Sequence, residues 1–233
     1  MIVLSLYDYT GEAVRPWADA GYDCYCYDIQ HPAEGMVDGN IHFMRADLHD
    51  PAVLDAIIAT FSGQDVRFVM GWPVCTDMAV SGAAHFAKKR AVDPDFQIKA
   101  AGYAMDCARV ADALGAPYMI ENPVSVLSTL WRKPNHTFHP YEFGGYIPLG
   151  EYDHPIWPDY IASRDAYPKK TCLWTGNGFV MPQTKPVQPE PGYSSQHRKL
   201  GGKSQKTKNI RSATPRGFAR AIFEANHKET TQC

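Results

Sequence analysis

Two loop residues, a cysteine and a glutamate, are of the types best suited to making and breaking bonds. Cys75 lies in Gly71-Trp72-Pro73-Val74-Cys75-Thr76, where glycine and proline forbid a regular continuation of the preceding apolar run. Glu121 belongs to Glu121-Asn122-Pro123, directly after a second apolar run. A thiolate adds to an electron-poor ring carbon, and a carboxylic acid held nearby protonates a ring nitrogen as the addition proceeds. Spacing alone also accommodates a buried, unreactive cysteine and a glutamate that caps a helix.

Such a pair needs a frame, and the first half of the chain reads as one. Residues 1–6, 23–29, 41–45, 66–70 and 117–120 have the pattern of strands. Between them lie a helical segment at 13–20 stopped by Gly21, a helix started by Asp50-Pro51, and a long helix over 96–114 closed by Gly115. This alternation predicts an α/β fold with helices covering a sheet. Ligands of open α/β sheets bind outside the carboxyl ends of the strands, so Asp8 to Gly11, Asp28, Asp47, Pro73 to Thr76 and Glu121 to Pro123 are expected to converge on one edge. The first strand is followed only by Gly11 and Gly21, without the G-x-G-x-x-G cradle for a diphosphate. Strand-end acids suit ribose hydroxyls and the adenine amine and repel phosphate, which favours an adenosyl ligand free of phosphate.

Beyond this frame the pattern loosens. Residues 131–167, rich in Pro, Gly, His and aromatics, read as an irregular insertion. Residues 171–174 and 178–181, flanking Thr175-Gly176-Asn177, predict a hairpin. Residues 182–211 read as a basic loop, and Thr214-Pro215 as the cap of a last helix. No linker separates domains, so residues 1–233 are expected to form one.

The net charge of −2 conceals an asymmetry: residues 1–65 hold eleven acids and two bases, whereas residues 196–220 hold eight Lys or Arg and no acid. Arg198, Lys199, Lys203, Lys206, Lys208 and Arg211 are thus placed to neutralise nucleic-acid phosphates. Tyr141, Phe143, Tyr146, Trp157 and Tyr160 have the chemistry to stack on bases or to pack the insertion. The six cysteines follow no disulfide pattern, no apolar run reaches membrane-spanning length, and the N-terminus lacks a basic leader. Together these predict a cytoplasmic protein with reduced thiols and no membrane partner.

The series Asp8-Tyr9-Thr10-Gly11, Asp28, Asp47-Leu48, Gly71 to Thr76, Glu121-Asn122-Pro123, Lys169 to Trp174 and Arg211 to Pro215 resembles the ordered motifs of DNA cytosine-5 methyltransferases, most closely the short phage-type DNA cytosine methylases. The resemblance covers nearly the whole chain and implies a Rossmann-like S-adenosylmethionine-dependent methyltransferase fold without a full target-recognition domain. It implies that Asp8, Tyr9, Thr10 and Gly11 cradle S-adenosyl-L-methionine with Pro73 beside it, that Asp28 binds its ribose, and that Asp47 and Leu48 contact its adenine. Cys75 is then the nucleophile for cytosine C6, Glu121 the proton donor to N3, and Asn122 the support of the Glu121 loop. Val74 stands where the family usually has proline, Thr76 where larger members have glutamine, and Arg164, Lys169 and Lys170 are the candidates for the family's Arg-x-Arg contact to the base. The implied partner is DNA, read with short or weak sequence specificity. Two alternatives share these residues: C5 modification of a free pyrimidine nucleotide, and a catalytically degenerate module that binds nucleic acid or regulates.

Overall fold

The apolar runs of the first half become the centre of an eight-stranded sheet in the computed structural model, which describes residues 1–202 and 204–227. In chain order the first elements are β1 (Ile2–Leu6), α1 (Arg15–Asp19), β2 (Asp23–Asp28), β3 (Met36–Asp38), β4 (Ile41–Arg45), α2 (Pro51–Phe61) and β5 (Val66–Gly71). Then come α3 (Phe86–Val92), α4 (Phe96–Leu114), β6 (Tyr118–Pro123), α5 (Leu127–Leu130), β7 (His136–Phe138) and β8 (Thr171–Gly176). The chain closes with α6 (Ser195–Lys199), α7 (Gln205–Ser212) and α8 (Arg216–Asn226).

The strand order is β3-β4-β2-β1-β5-β6-β8-β7. The five strands from β4 to β6 are parallel, while β3 runs antiparallel on β4, and β8 antiparallel between β6 and β7. This mixed, mostly parallel α/β sheet is compatible with a Rossmann-like fold. Its order reverses between β1 and β5, which is where doubly wound sheets open their crevice. Because β8 runs backwards, its first residues stand at the same edge as the carboxyl ends of the parallel strands.

Alternation along β1 feeds two cores. Ile2, Leu4 and Leu6 pack with Leu54, Ile57 and Phe61 of α2 and Ala100, Ala101 and Ala104 of α4, while Val3 joins Trp17, Phe68, Met70, Phe218 and Ile222 on the other face. The small residues of α4 let it lie close to the sheet: a Cβ at Gly71 would come within 2.8 Å of the Cys107 Cβ. Asp50 caps α2 by accepting from the Ala52 amide at 2.9 Å, and Gly115 ends α4 in the left-handed region. Among the described residues no helix is long and apolar enough to cross a membrane.

Four local expectations are corrected. Residues 178–181 form no strand; β8, buried along five of its six residues, takes β6 and β7 as neighbours, and Asn177 and Gly178, both at positive φ, turn the chain away. The 131–167 segment is not wholly irregular, since it contributes β7 and 3-10 turns at Pro140–Tyr146 and Ser163–Asp165. The 182–211 segment carries α6 and α7, capped by Ser194 and Ser204, and places Leu200 and Ile210 in a third small core with Ile161, Tyr167 and Ala213. Thr214 does not cap α8; the Asp165 Oδ2 does, accepting from the Gly217 amide at 2.9 Å.

Candidate active site

At the end of β1 the chain turns sharply. Tyr7 sits at φ 63, a costly conformation for a bulky residue and one that recurs at functional turns. Its hydroxyl donates to the Leu48 carbonyl at 3.1 Å, tying the turn to the chain after β4. The Asp8 carboxylate then folds under its own loop, Oδ1 accepting from the amides of Thr10 (3.1 Å) and Gly11 (2.8 Å) and Oδ2 from the Ser5 hydroxyl (2.8 Å). Burial raises the proton affinity of Asp8, and these donors work against that rise. Gly11 is required at its place, because its φ is 71 and a Cβ would lie 2.8 Å from the Phe43 ring. Tyr9 is exposed and stacks on His31, whose Nε2 donates to the Asp8 carbonyl at 3.0 Å.

The next two strand ends repeat the device. Asp28 is buried and accepts through Oδ1 from the Gln30 amide at 2.8 Å; exposed Asp47 accepts through Oδ1 from the His49 amide at 3.1 Å, beside buried Leu48. Each carboxylate uses one oxygen to shape its turn and keeps Oδ2 for another partner. Across the edge, Gln205 and Asn209 of α7 both donate to the Gln30 Oε1, at 2.9 and 3.1 Å, so α7 lies directly over the turn after β2.

The cysteine loop is held from outside. Asn122, wholly buried on β6, donates its Nδ2 to the Pro73 carbonyl at 3.2 Å. It therefore supports the loop of Cys75 rather than that of Glu121. Backbone bonds from Val80 N to Val124 O and from Val126 N to Met78 O, both 3.1 Å, join the chain after β5 to the chain after β6. Lys89 of α3 donates to the Thr76 carbonyl at 3.3 Å and pairs with Asp77. Cys75 and Glu121 are thereby brought into one electrostatic environment. Burial raises the Cys75 thiol above its ordinary range, the Glu121 carboxylate raises it further, and Lys169 opposes both. Burial likewise raises the Glu121 carboxyl, with Lys169 opposing from 4.0 Å.

The remaining predicted cations fall into separate groups. Lys169 faces Glu121 and donates to the Arg211 carbonyl at 3.1 Å, while Lys170 is exposed next to it. Arg164 is committed elsewhere, lying over the Tyr152 ring at 5.1 Å on the turn that packs against α8. Arg198 pairs with Glu190 at 3.1 Å, Lys199 donates to the Asp159 carbonyl, Lys206 lies over Tyr160, and the Arg211 guanidinium donates to the Leu200 carbonyl at 2.8 Å. Lys208 is exposed, and Lys203 lies outside the described residues. A groove of about 280 Å³ between α1 and α8, lined by Pro16, Asp19, Ala20, Arg220, Phe223 and Glu224, contains none of these groups.

Ser5, His31, Gln30, Trp72, Gln205 and Asn209 complete the edge and were not legible as site residues. Ser5 carried a signal as a hydroxyl inside the apolar run Ile2–Leu6, and Trp72 as a member of the Gly71–Thr76 motif. No protein-family model matches the chain, and no curated protein matches it significantly.

Proposed function

We propose that the chain is an S-adenosylmethionine-dependent DNA cytosine C5-methyltransferase, built on the methyltransferase variant of the Rossmann-like fold. The observation that carries this reading is the grouping of Cys75, Glu121 and Lys169 on the same edge of the sheet as the acidic turns after β1, β2 and β4. Those turns fit the cofactor: Asp28 retains a carboxylate oxygen for ribose hydroxyls, exposed Asp47 offers an acceptor for the adenine amine with Leu48 packed in the core behind it, and the Thr10 and Gly11 amides are taken up by Asp8 rather than presented to a phosphate. When bound there, the cofactor supplies an electrophilic methyl group.

In this reading Cys75 loses its proton and its sulfur forms a bond to C6 of cytosine, while Glu121 delivers its proton to N3. The ring electrons that shift leave C5 nucleophilic, so that it can accept the methyl group. Loss of the C5 proton to a base then restores the C5–C6 double bond and expels the Cys75 thiolate, and N3 returns its proton to the Glu121 carboxylate. Burial raises the proton affinity of Glu121 and so favours its acid form, as a proton donor requires. Lys169 offsets the corresponding cost at Cys75 by favouring its thiolate. A cytosine in duplex DNA must leave the stack to reach Cys75, at a cost of about a few kcal/mol. Exposed Lys170, next to Lys169, and exposed Lys206 and Lys208 on α7, the helix over the turn after β2, provide cations for phosphates.

Incubation with labelled S-adenosylmethionine and mixed DNA substrates, followed by nucleoside analysis, tests the reading. The expected product is 5-methylcytosine with the native chain and none with Cys75→Ala. Absence of cofactor binding by calorimetry would overturn it, and labelling that a mononucleotide but not an oligonucleotide suppresses would assign the free nucleotide as substrate.

A further inference from the structure

A wholly buried serine in the middle of a central strand calls for a physical account. Ser5 is 0% exposed, stands opposite Cys26 on β2 and Met70 on β5, and belongs to a face otherwise filled with apolar side chains. Its hydroxyl is satisfied in both directions. It donates to the Asp8 Oδ2 at 2.8 Å and accepts from the indole Nε1 of Trp72 at 3.0 Å. Trp72 is the first residue after β5 and its amide donates to the Leu6 carbonyl at 3.0 Å, so the indole is anchored across the end of β1. Asp8 in turn sets the amides of Thr10 and Gly11, and Pro73, next to Trp72, carries the carbonyl gripped by Asn122.

One hydrogen-bonded chain therefore runs from the loop after β1 to the loop that bears Cys75. It crosses between β1 and β5, where the sheet opens its crevice. A neutral small hydroxyl suits this place because it is a donor and an acceptor at once: the carboxylate requires a donor and the indole N–H an acceptor. Alanine would leave the indole proton unpartnered and remove a donor from a buried carboxylate.

We propose that Ser5 is a positioning residue that sets the distance between the Asp8–Gly11 loop and the Cys75 loop through Trp72. The role rests on the methyltransferase reading, in which the first loop holds the methyl donor and the second the nucleophile. Misplacement of reacting groups by about 1 Å can cost ~100-fold in rate, so a relay between the loops has leverage on turnover.

Trp72→Phe keeps an aromatic ring and deletes only the N–H, and Ser5→Ala deletes the whole junction. Three readouts are compared after thermal melts confirm folding: cofactor Kd by calorimetry, kcat for methyl transfer, and the rate of Cys75 alkylation by iodoacetamide, followed by peptide mass spectrometry. Trp72→Phe is expected to leave cofactor Kd within about twofold while lowering kcat about tenfold and changing the alkylation rate at least about threefold. Ser5→Ala is expected to lower kcat by a similar factor and to weaken cofactor binding as well, because Asp8 loses a donor. The double variant should show a kcat no lower than that of Ser5→Ala. Additive losses, or native kcat and alkylation in Trp72→Phe, would overturn the proposal. Alkylation needs neither cofactor nor DNA, so if the native chain transfers no methyl group the functional reading fails, and alkylation of the two single variants and the double variant still decides the relay. Should Ser5→Ala not fold, the Trp72→Phe readouts decide alone.

Discussion

The two halves of the sheet edge handle their polar groups in opposite ways. On the β1, β2 and β4 side, Asp8, Asp28 and Asp47 each accept from amides of their own turns, so the carboxylates shape the backbone that carries them. On the β5 and β6 side, Cys75 and Glu121 do not build their loops. Asn122, Lys89 and the backbone bonds between the two loops hold that framework instead. In the proposed reaction, a carboxylate that only binds can also serve as scaffold. A group that must gain and lose a proton is better kept out of the scaffold, since each titration would otherwise rearrange the loop.

This contrast can be broken most severely at Cys75, the nucleophile of the proposed reaction. Cys75→Ala should lower methyl transfer by several orders of magnitude, as removal of a nucleophile does, yet leave cofactor Kd within about twofold. A parallel loss of cofactor affinity by calorimetry would mean that the halves are not separate. Asp28→Asn probes the other side: with one charge-assisted contact weakened, cofactor Kd should rise by about 10- to 100-fold with kcat nearly native at saturation.

Lys169→Met removes the cation facing Glu121, together with its hydrogen bond to the Arg211 carbonyl. Lys169 lowers the proton affinity of both Cys75 and Glu121, so its removal raises both. Both limbs of the pH–rate profile, which report the coupled titration of Cys75 and Glu121, should move to higher pH. Movement of one limb only would show that Lys169 serves one group.

The smallest effect is expected at a buried acid belonging to neither half. Burial pushes Asp165 up to about 7, against the pull of the Gly217 amide and Arg216. Its folded value lies above the unfolded one, so its proton stabilises the fold at low pH and that stability is lost as pH rises from about 4 to about 7, by on the order of 1 kcal/mol per pH unit at most. Asp165→Asn should flatten the melting temperature across that window and leave cofactor Kd and kcat unchanged.

The strand ends were legible because short apolar runs closed by Asp, Gly or Pro mark both the strand and its end. Asp8, Asp28, Asp47, Cys75 and Glu121 could thus be collected before their partners were known. α4 was legible for a similar reason, through its length, its alanines and Gly115. What escaped depends on distant partners. β3 is exposed at all three residues, and α7 buries only Thr207 and Ile210, so neither has a strong local pattern. β8 was expected to fold back on residues 178–181, but local alternation does not say which neighbour a strand will choose, and β6 took that place. Ser5 meets an indole 67 positions away, a pairing that no local period contains.

The reversed direction of β8 has a consequence for how this architecture can diversify. Phe138 at the end of β7 pairs with Thr171 at the start of β8, so residues 139–170 leave and rejoin the sheet at neighbouring points on the reaction edge. The exposed turn of this excursion around Leu149 can lengthen at a modest entropic cost without shifting the register of any strand that carries Asp8, Cys75 or Glu121, whereas Phe143, Ile161 and Tyr167, buried in the cores, and Lys169, facing Glu121, tie the rest of it down. The strands thus stay fixed while an exposed turn of the excursion is free to vary, and under the proposed function that turn is where a change of target would leave Cys75 and Glu121 in place.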